Sequence, residues 1–215
     1  LLGVGSYNAL QYLALRTSTP LNVTLVASSM PLWMLVVGAL FFHAPVRRPQ
    51  LVAAAFSMAG VLVVLSRGDW DQLMALRLVP GDGFMLLASA AWAWYSWLLT
   101  RRDEPERIRA DWAAFLLAQV APGLVWSGAF AALEWTVTDA RIAWSWPMAG
   151  ALVFIALGPA ILAYRCWGLG VQRAGPALAA FFSNLTPLFA AVLSAALLGE
   201  APHLYHALAF ALIGG

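Results

Sequence analysis

Ser183, Asn184 and Thr186 stand in the middle of an uncharged run, Ala174–Gly199, directly before Pro187. No nucleophile–base pair accompanies them, so the chemistry open to them is hydrogen bonding: two hydroxyls, and one amide that both donates and accepts. Proline brings no N–H, so the carbonyl four residues back, on Ser183, is expected to lose its helical partner. The run is 26 residues long, more than the roughly 20 needed to cross a ~30 Å hydrocarbon layer. At that depth an unpaired carbonyl costs several kcal/mol unless water, a neighbouring helix or a ligand satisfies it. A bent, polar helix centre there is either packing between helices or the wall of a cavity, and the cavity is the reading adopted.

Other residues invite the same question. Asn8, Gln11 and Tyr12 stand at i, i+3 and i+4 on one helical face, and two amides in an apolar helix should point into protein or water. Ser28 and Ser29 precede Pro31 as Ser183 and Asn184 precede Pro187. At 100° per residue Ser89, Trp92, Tyr95 and Ser96 share one side of a helix, with Trp94 and Trp97 opposite. Tyr164 and Trp167 are three apart beside Gly168 and Gly170, small residues that let helices approach. For each set, plain interhelical bonding competes with an aromatic, sparsely polar binding wall. Arg165 is the one charge inside an apolar segment; it either meets a carboxylate on a substrate or snorkels to the headgroups. Glu200, His203 and His206 are too few ligands for a metal site and read as a solvated interfacial group, with Glu200 able to cap the last helix. There is no phosphate-binding glycine loop or nucleotide motif, so no cofactor and no metal is expected.

The elements that must position these residues are membrane helices. Of 215 residues 62% are hydrophobic and 10% charged, against about 25% charged in soluble domains; mean hydropathy is +0.79. The lone Cys166 excludes an internal disulfide, and a net charge of +2 gives no argument for nucleic acid. Charges divide the chain into eight apolar segments, about 1–15, 20–42, 49–66, 83–100, 112–133, 147–170, 175–198 and 203–215. The chain begins and stops inside apolar runs, which reads as a fragment of a longer protein. Seven arginines (47, 48, 101, 102, 107, 109 and 173) fall on one side and four (16, 67, 77 and 141) on the other; the richer side should be cytoplasmic. Trp70, Trp135, Trp144 and Trp146 gather at external segment ends and Trp112 at an internal one, as interfacial anchors do.

An offset of 156 superposes Pro20 on Pro176 and Pro31 on Pro187, with a polar cluster before the second proline each time. By the segment count one helix runs inward and the other outward. Inverted repeats with helices interrupted at the midplane mark secondary transporters. The expected division is 1–66 for what remains of a first repeat, 67–82 for an external connection lying along the outer surface, and 83–215 for the second repeat.

The chain resembles the EamA-type branch of the drug/metabolite transporter superfamily over essentially its whole length. The resemblance rests on Tyr7 to Tyr12 leading to Pro31, Gly60 to Asp69, Gly81-Asp82 through Trp92 and Tyr95, Ala163-Tyr164 to Trp167, and Leu198-Gly199-Glu200 with Tyr205-His206. His43-Ala44 stands where the pattern has Gly-Glu. The resemblance implies an all-helical membrane bundle of two inverted halves, with about eight of ten segments present. It implies metabolite or amino-acid efflux across a bacterial inner membrane around a midplane cavity. Its lining is expected from Asn8, Gln11, Tyr12, Ser28, Ser29, Trp92, Tyr95, Ser96, Tyr164, Trp167, Ser183 and Asn184, with carbonyls of Ala27 and Ser183 at the breaks. The partners are a small-molecule substrate and the bilayer; H⁺ antiport and facilitated diffusion stay open, as does the oligomeric state. Two other classes compete: a membrane-embedded enzyme on lipid-linked substrates, needing acids or histidines at one interface, and a structural subunit without a pathway.

Overall fold

The computed structural model describes residues 2–69, 71, 74, 77–101, 111–138, 143–198 and 204–214. Trp70, the middle of the 67–82 connection, the loop from Arg102 to Ala110, Arg141, Gly199, Glu200 and His203 lie outside the described residues. All described regular structure is helical.

A short stretch of wide, π-type turns, Leu2–Ser6, leads into α1 (Tyr7–Thr17). Helix α2 (Pro20–Ala27) starts where Thr19 accepts from the Asn22 N–H and Pro20 occupies the first turn, a place where a missing donor costs nothing. It stops two residues before α3 (Met30–Phe41), and the two are bent by 40°. Then come α4 (Arg48–Leu65), α5 (Pro80–Leu98) and α6 (Trp112–Val137), the last capped by Asp111. Next are α7 (Trp146–Ile155), capped by Ser145, a π-type stretch over Ala156–Ala163 around Pro159, and α8 (Tyr164–Ala174). A second broken pair, α9 (Pro176–Ser183) and α10 (Thr186–Leu198), precedes α11 (Leu204–Gly214).

Four helical runs are long and apolar enough to cross a membrane: Arg48–Leu65, Trp112–Val137, Trp146–Ala174 and Pro176–Leu197. The bent pair α2–α3 makes a fifth if it counts as one span. Helices α1, α5 and α11 fall on three more of the apolar segments read from the sequence but are too short or too polar to pass that test.

Burial combines an apolar core, with Met34, Met85 and Val61 at its centre, and an unusual set of buried polar groups. Asn22, Ser28, Ser57, Ser66, Asp82, Ser89, Ser96 and Asn184 are buried, while Leu40, Phe182, Phe210 and Trp146 are among many large apolar side chains left exposed. Only a hydrocarbon solvent makes that arrangement favourable. Trp135, Trp144 and Trp146 are exposed at helix ends, as interfacial anchors would be.

Helix α5 is the hub. It runs against α1 in the opposite direction: Gly81 abuts Ala14 and Ser18 at one end, and Gly3 abuts the Tyr95 ring at the other. It runs alongside the α2–α3 pair, touching Asn22 through Asp82 and, further on, Met34 through Trp97. At Gly38 any β-carbon would fall inside the Trp97 ring, so glycine sets that approach. Trp94 and Trp97 thus pack on α3, with Phe41 and Phe42. Helices α4 and α11 pack antiparallel, since Gly68 meets Tyr205 while Gly60 meets Ala209, Leu212 and Ile213.

Candidate substrate cavity

The two helix breaks face each other. Asn184, at the end of α9, is buried and donates from Nδ2 to the Ser28 carbonyl at 3.1 Å and to Ser57 Oγ of α4 at 2.8 Å. One side-chain amide thereby ties together the first break, the second break and a full-length helix. The breaks also satisfy themselves. Ser28 Oγ donates to the Leu25 carbonyl and Ser29 Oγ to that of Val26, both at 2.6 Å. Thr186 Oγ1 donates to the Ser183 carbonyl at 2.7 Å, taking up the acceptor that Pro187 leaves behind. That carbonyl is paired locally instead of standing open for a ligand.

Between the breaks and α5 lies a cavity of about 330 Å³, near the lower end of the roughly 300–1,000 Å³ typical of small-molecule sites. Asn184, Ser28, Ser183, Thr24, Thr186 and Gln11 give it hydrogen-bonding groups, and Tyr7, Trp92 and Trp167 give it aromatic faces. Among the described residues no Asp, Glu, Arg or His lines it.

Trp92 centres the aromatic side. Its ring lies 4.8 Å from Tyr7, 5.2 Å from Tyr95, 5.5 Å from Tyr164 and 5.3 Å from Trp167, centroid to centroid. The interplanar angles of 48–73° are tilted to edge-on, the geometry that aromatic quadrupoles favour. Polar tips hold the rings in place. Trp167 Nε1 donates to Ser96 Oγ at 3.1 Å, and Ser96 Oγ donates to the Trp92 carbonyl at 2.8 Å. Tyr95 OH donates to Gln119 Oε1 at 2.6 Å, and Tyr164 OH donates to the Gly3 carbonyl at 3.1 Å. Asn8 Nδ2 reaches Tyr164 OH at 3.5 Å.

Of the twelve lining residues expected from the sequence, six line the cavity: Gln11, Ser28, Trp92, Trp167, Ser183 and Asn184. Asn8, Tyr95, Ser96 and Tyr164 form the layer behind, bracing the rings. Ser29 turns its hydroxyl back on its own helix. Tyr12 is 65% exposed; it stands 100° round the helix from Gln11, on the outer flank of the face. Tyr7 and Thr24 line the cavity as well; Tyr7 is four residues before Gln11 and Thr24 four before Ser28, the spacing that signals a shared face.

Two further features lie apart from the cavity. The Arg165 guanidinium sits 4.2 Å over the Trp112 ring, a cation–π pair that accounts for its charge without a carboxylate. A larger recess of about 880 Å³ between α4, α9 and α11 is walled by Phe56, Phe181, Phe182, Leu185 and other apolar groups, with Arg48 and Gln50 at one end. Exposed apolar walls and few polar groups suit lipid contact better than a metabolite.

The model of the EamA-like transporter family matches residues 1–66 and 79–215. An uncharacterized transporter of Bacillus subtilis is 23% identical over 194 residues, covering 90% of this chain and 62% of the relative, so the chain spans less than two thirds of that relative's length. An aromatic amino acid exporter of Ancylobacter novellus is 25% identical over 213 residues, 99% of this chain and 71% of the exporter. A solved crystal structure superposes with a TM-score of 0.74 at 24% identity, over 100% of this chain and 74% of that one, and so shares the fold.

Proposed function

The chain belongs to the EamA-like transporter family, a family of multi-pass membrane transporters rather than enzymes, and on that premise we propose that it is a secondary carrier. Its cargo is a small polar or amphipathic metabolite, an amino acid or related compound, exported across the bacterial inner membrane by alternating access. Asn184, Ser183 and Gln11 orient the polar end, helped by the acceptor lone pairs of Ser28, Thr24 and Thr186, whose hydroxyl protons go to nearby backbone carbonyls, and Tyr7, Trp92 and Trp167 hold the flat or apolar part. A wall without formal charge suits a zwitterion or neutral compound, whose own charges can be met by amide and hydroxyl dipoles. The relative described as an aromatic amino acid exporter points to the same ligand chemistry.

The observation that carries this reading is the pairing of residues 156 apart. Asn184 bonds to Ser28 and Asn8 to Tyr164, both at that separation. In a molecule with two related halves, equivalent residues touch each other only on the axis relating them. The same offset carries the start of α2 to that of α9, the end of α2 to the end of α9, the start of α3 to that of α10 and the start of α4 to that of α11. It also carries the first π-type stretch into the second. Since α4 and α11 lie antiparallel, this supports two inverted halves, 1–66 and 83–215 about the 67–82 connection, rocking around the cavity.

The test is counterflow of radiolabelled amino acids by the full-length protein in liposomes, with Trp92→Ala and Asn184→Ala beside it. Exchange that both variants reduce by tenfold or more supports the site. Wild-type exchange in both removes it, and absence of exchange for every amino acid in the parent removes the cargo class.

A further inference from the structure

At the end of the bundle that carries Arg77, opposite Arg47, Arg48, Arg101 and Arg173, a carboxylate is buried. Asp82 is 3% exposed and accepts three hydrogen bonds. Ser18 Oγ, from the residue after α1, donates to its Oδ1. Asn22 Nδ2, in the first turn of α2, donates to its Oδ2 at 3.1 Å and also to the Arg77 carbonyl at 2.9 Å. The Val79 N–H donates to Oδ2 at 2.9 Å, so the same carboxylate caps α5. Packing at this joint is backbone against backbone: a β-carbon on Gly81 would sit 2.5 Å from the Ala14 carbonyl oxygen and 2.8 Å from Ser18 Cβ. Ala14 is fully buried.

The joint ties α1, α2 and α5, three of the elements that wall the cavity. It lies ten residues along α5 from Trp92, about 15 Å at the helical rise, which is half the hydrocarbon thickness. Moving Ser18 and Asn22 by the 156-residue offset gives Ala174 and Leu178, neither able to grip a carboxylate, and both are exposed.

Resting on the carrier reading above, we propose that Ser18, Asn22 and Asp82 form the closing pin of the transport path on the Arg77 side, and that this one-sided pin holds the resting carrier shut on that side. Opening there requires Ser18 and Asn22 to leave Asp82 while Val79 keeps its cap. Asp82 is thus a positioning residue for the cycle, and it touches no cargo.

The test uses the full-length protein with Cys166→Ser and a reporter, Thr24→Cys, in the cavity wall. A charged, membrane-impermeant maleimide is applied to spheroplasts and to inverted vesicles, which present opposite faces. The parent should label predominantly from the Arg-rich face. Ser18→Ala, which removes one bond to the carboxylate and leaves the helix cap, should raise labelling from the Arg77 face roughly tenfold or more, and Asp82→Asn should raise it further. Should Asp82→Asn fail to fold, Ser18→Ala and Asn22→Ala decide. Unchanged labelling from the Arg77 face in the folded variants, even with lowered melting temperatures, would make the joint structural and overturn the pin. Labelling of the parent from neither face would remove the carrier reading, and the pin with it.

Discussion

Replacing Asn184 by alanine tests the join between the two broken helices most directly. The amide of Asn184 makes one bond to a backbone carbonyl and one to Ser57 Oγ, and it is 3% exposed. Two neutral hydrogen bonds at about 0.5–1.5 kcal/mol each give about 1–3 kcal/mol. Side-chain bonds between membrane helices average nearer 0.6 kcal/mol, which puts the sum toward the lower half of that range. The free energy is read from unfolding in mixed micelles as denaturing detergent is raised. Asn184→Ala should lose about 1–3 kcal/mol, Ser57→Ala about half as much, and the double variant less than the sum. The difference should be about 0.5–1.5 kcal/mol of coupling. A coupling indistinguishable from zero would show that the 2.8 Å contact carries no energy, and the account of how the breaks are held would fail with it.

Gly38→Ala should destabilise the bundle by about 1–3 kcal/mol in the same assay, since the new methyl must displace the Trp97 ring, and Trp97→Leu in that background should recover part of the loss. Tyr12→Ala should leave stability and amino-acid exchange within twofold of the parent, because its ring is mostly outside the packed face. The Asp82 carboxyl lies just before the apolar part of α5. Burial pushes its pKa up, but bonds from Ser18, Val79 and Asn22 outweigh this and hold it below the ordinary carboxylate value. Its contribution to stability is then complete above the unfolded-state value of about 3.9 and fades as pH falls through the lower folded value. Unfolding free energy followed below pH 5 should show that decline in the parent and a shallower one in Asp82→Asn.

Membrane residence was plain in the composition, and both broken helices were plain in the prolines, because a missing N–H acts locally whatever surrounds it. Ser183, Asn184, Trp92 and Gln11 could be picked out for the same reason: polar or amphipathic groups in an apolar run have few places to go. What one helix cannot reveal is which flank of a polar face its neighbours cover. Tyr7 lies four residues before Gln11 and Tyr12 one after it, and it is Trp92 of α5, 4.8 Å from the Tyr7 ring, that shows which flank turns inward. Hydroxyls posed a second difficulty. Ser29 and Thr186 looked available to a ligand, but both return to carbonyls three residues earlier, a choice set by backbone torsions at the break. Asp82 was read as part of a surface connection, since its burial depends on Ser18 and Asn22, some sixty residues away.

The uncharged cavity wall has an electrical consequence. Moving one elementary charge across the membrane costs or yields about 2.3 kcal/mol per 100 mV, and none of the side chains facing the cargo carries such a charge. In the proposed rocking of two halves the walls would add nothing to the current, so voltage would act only on what is being carried. In facilitated diffusion a zwitterion would cross regardless of the membrane potential, whereas exchange of the same zwitterion for H⁺ would carry net charge and follow the voltage.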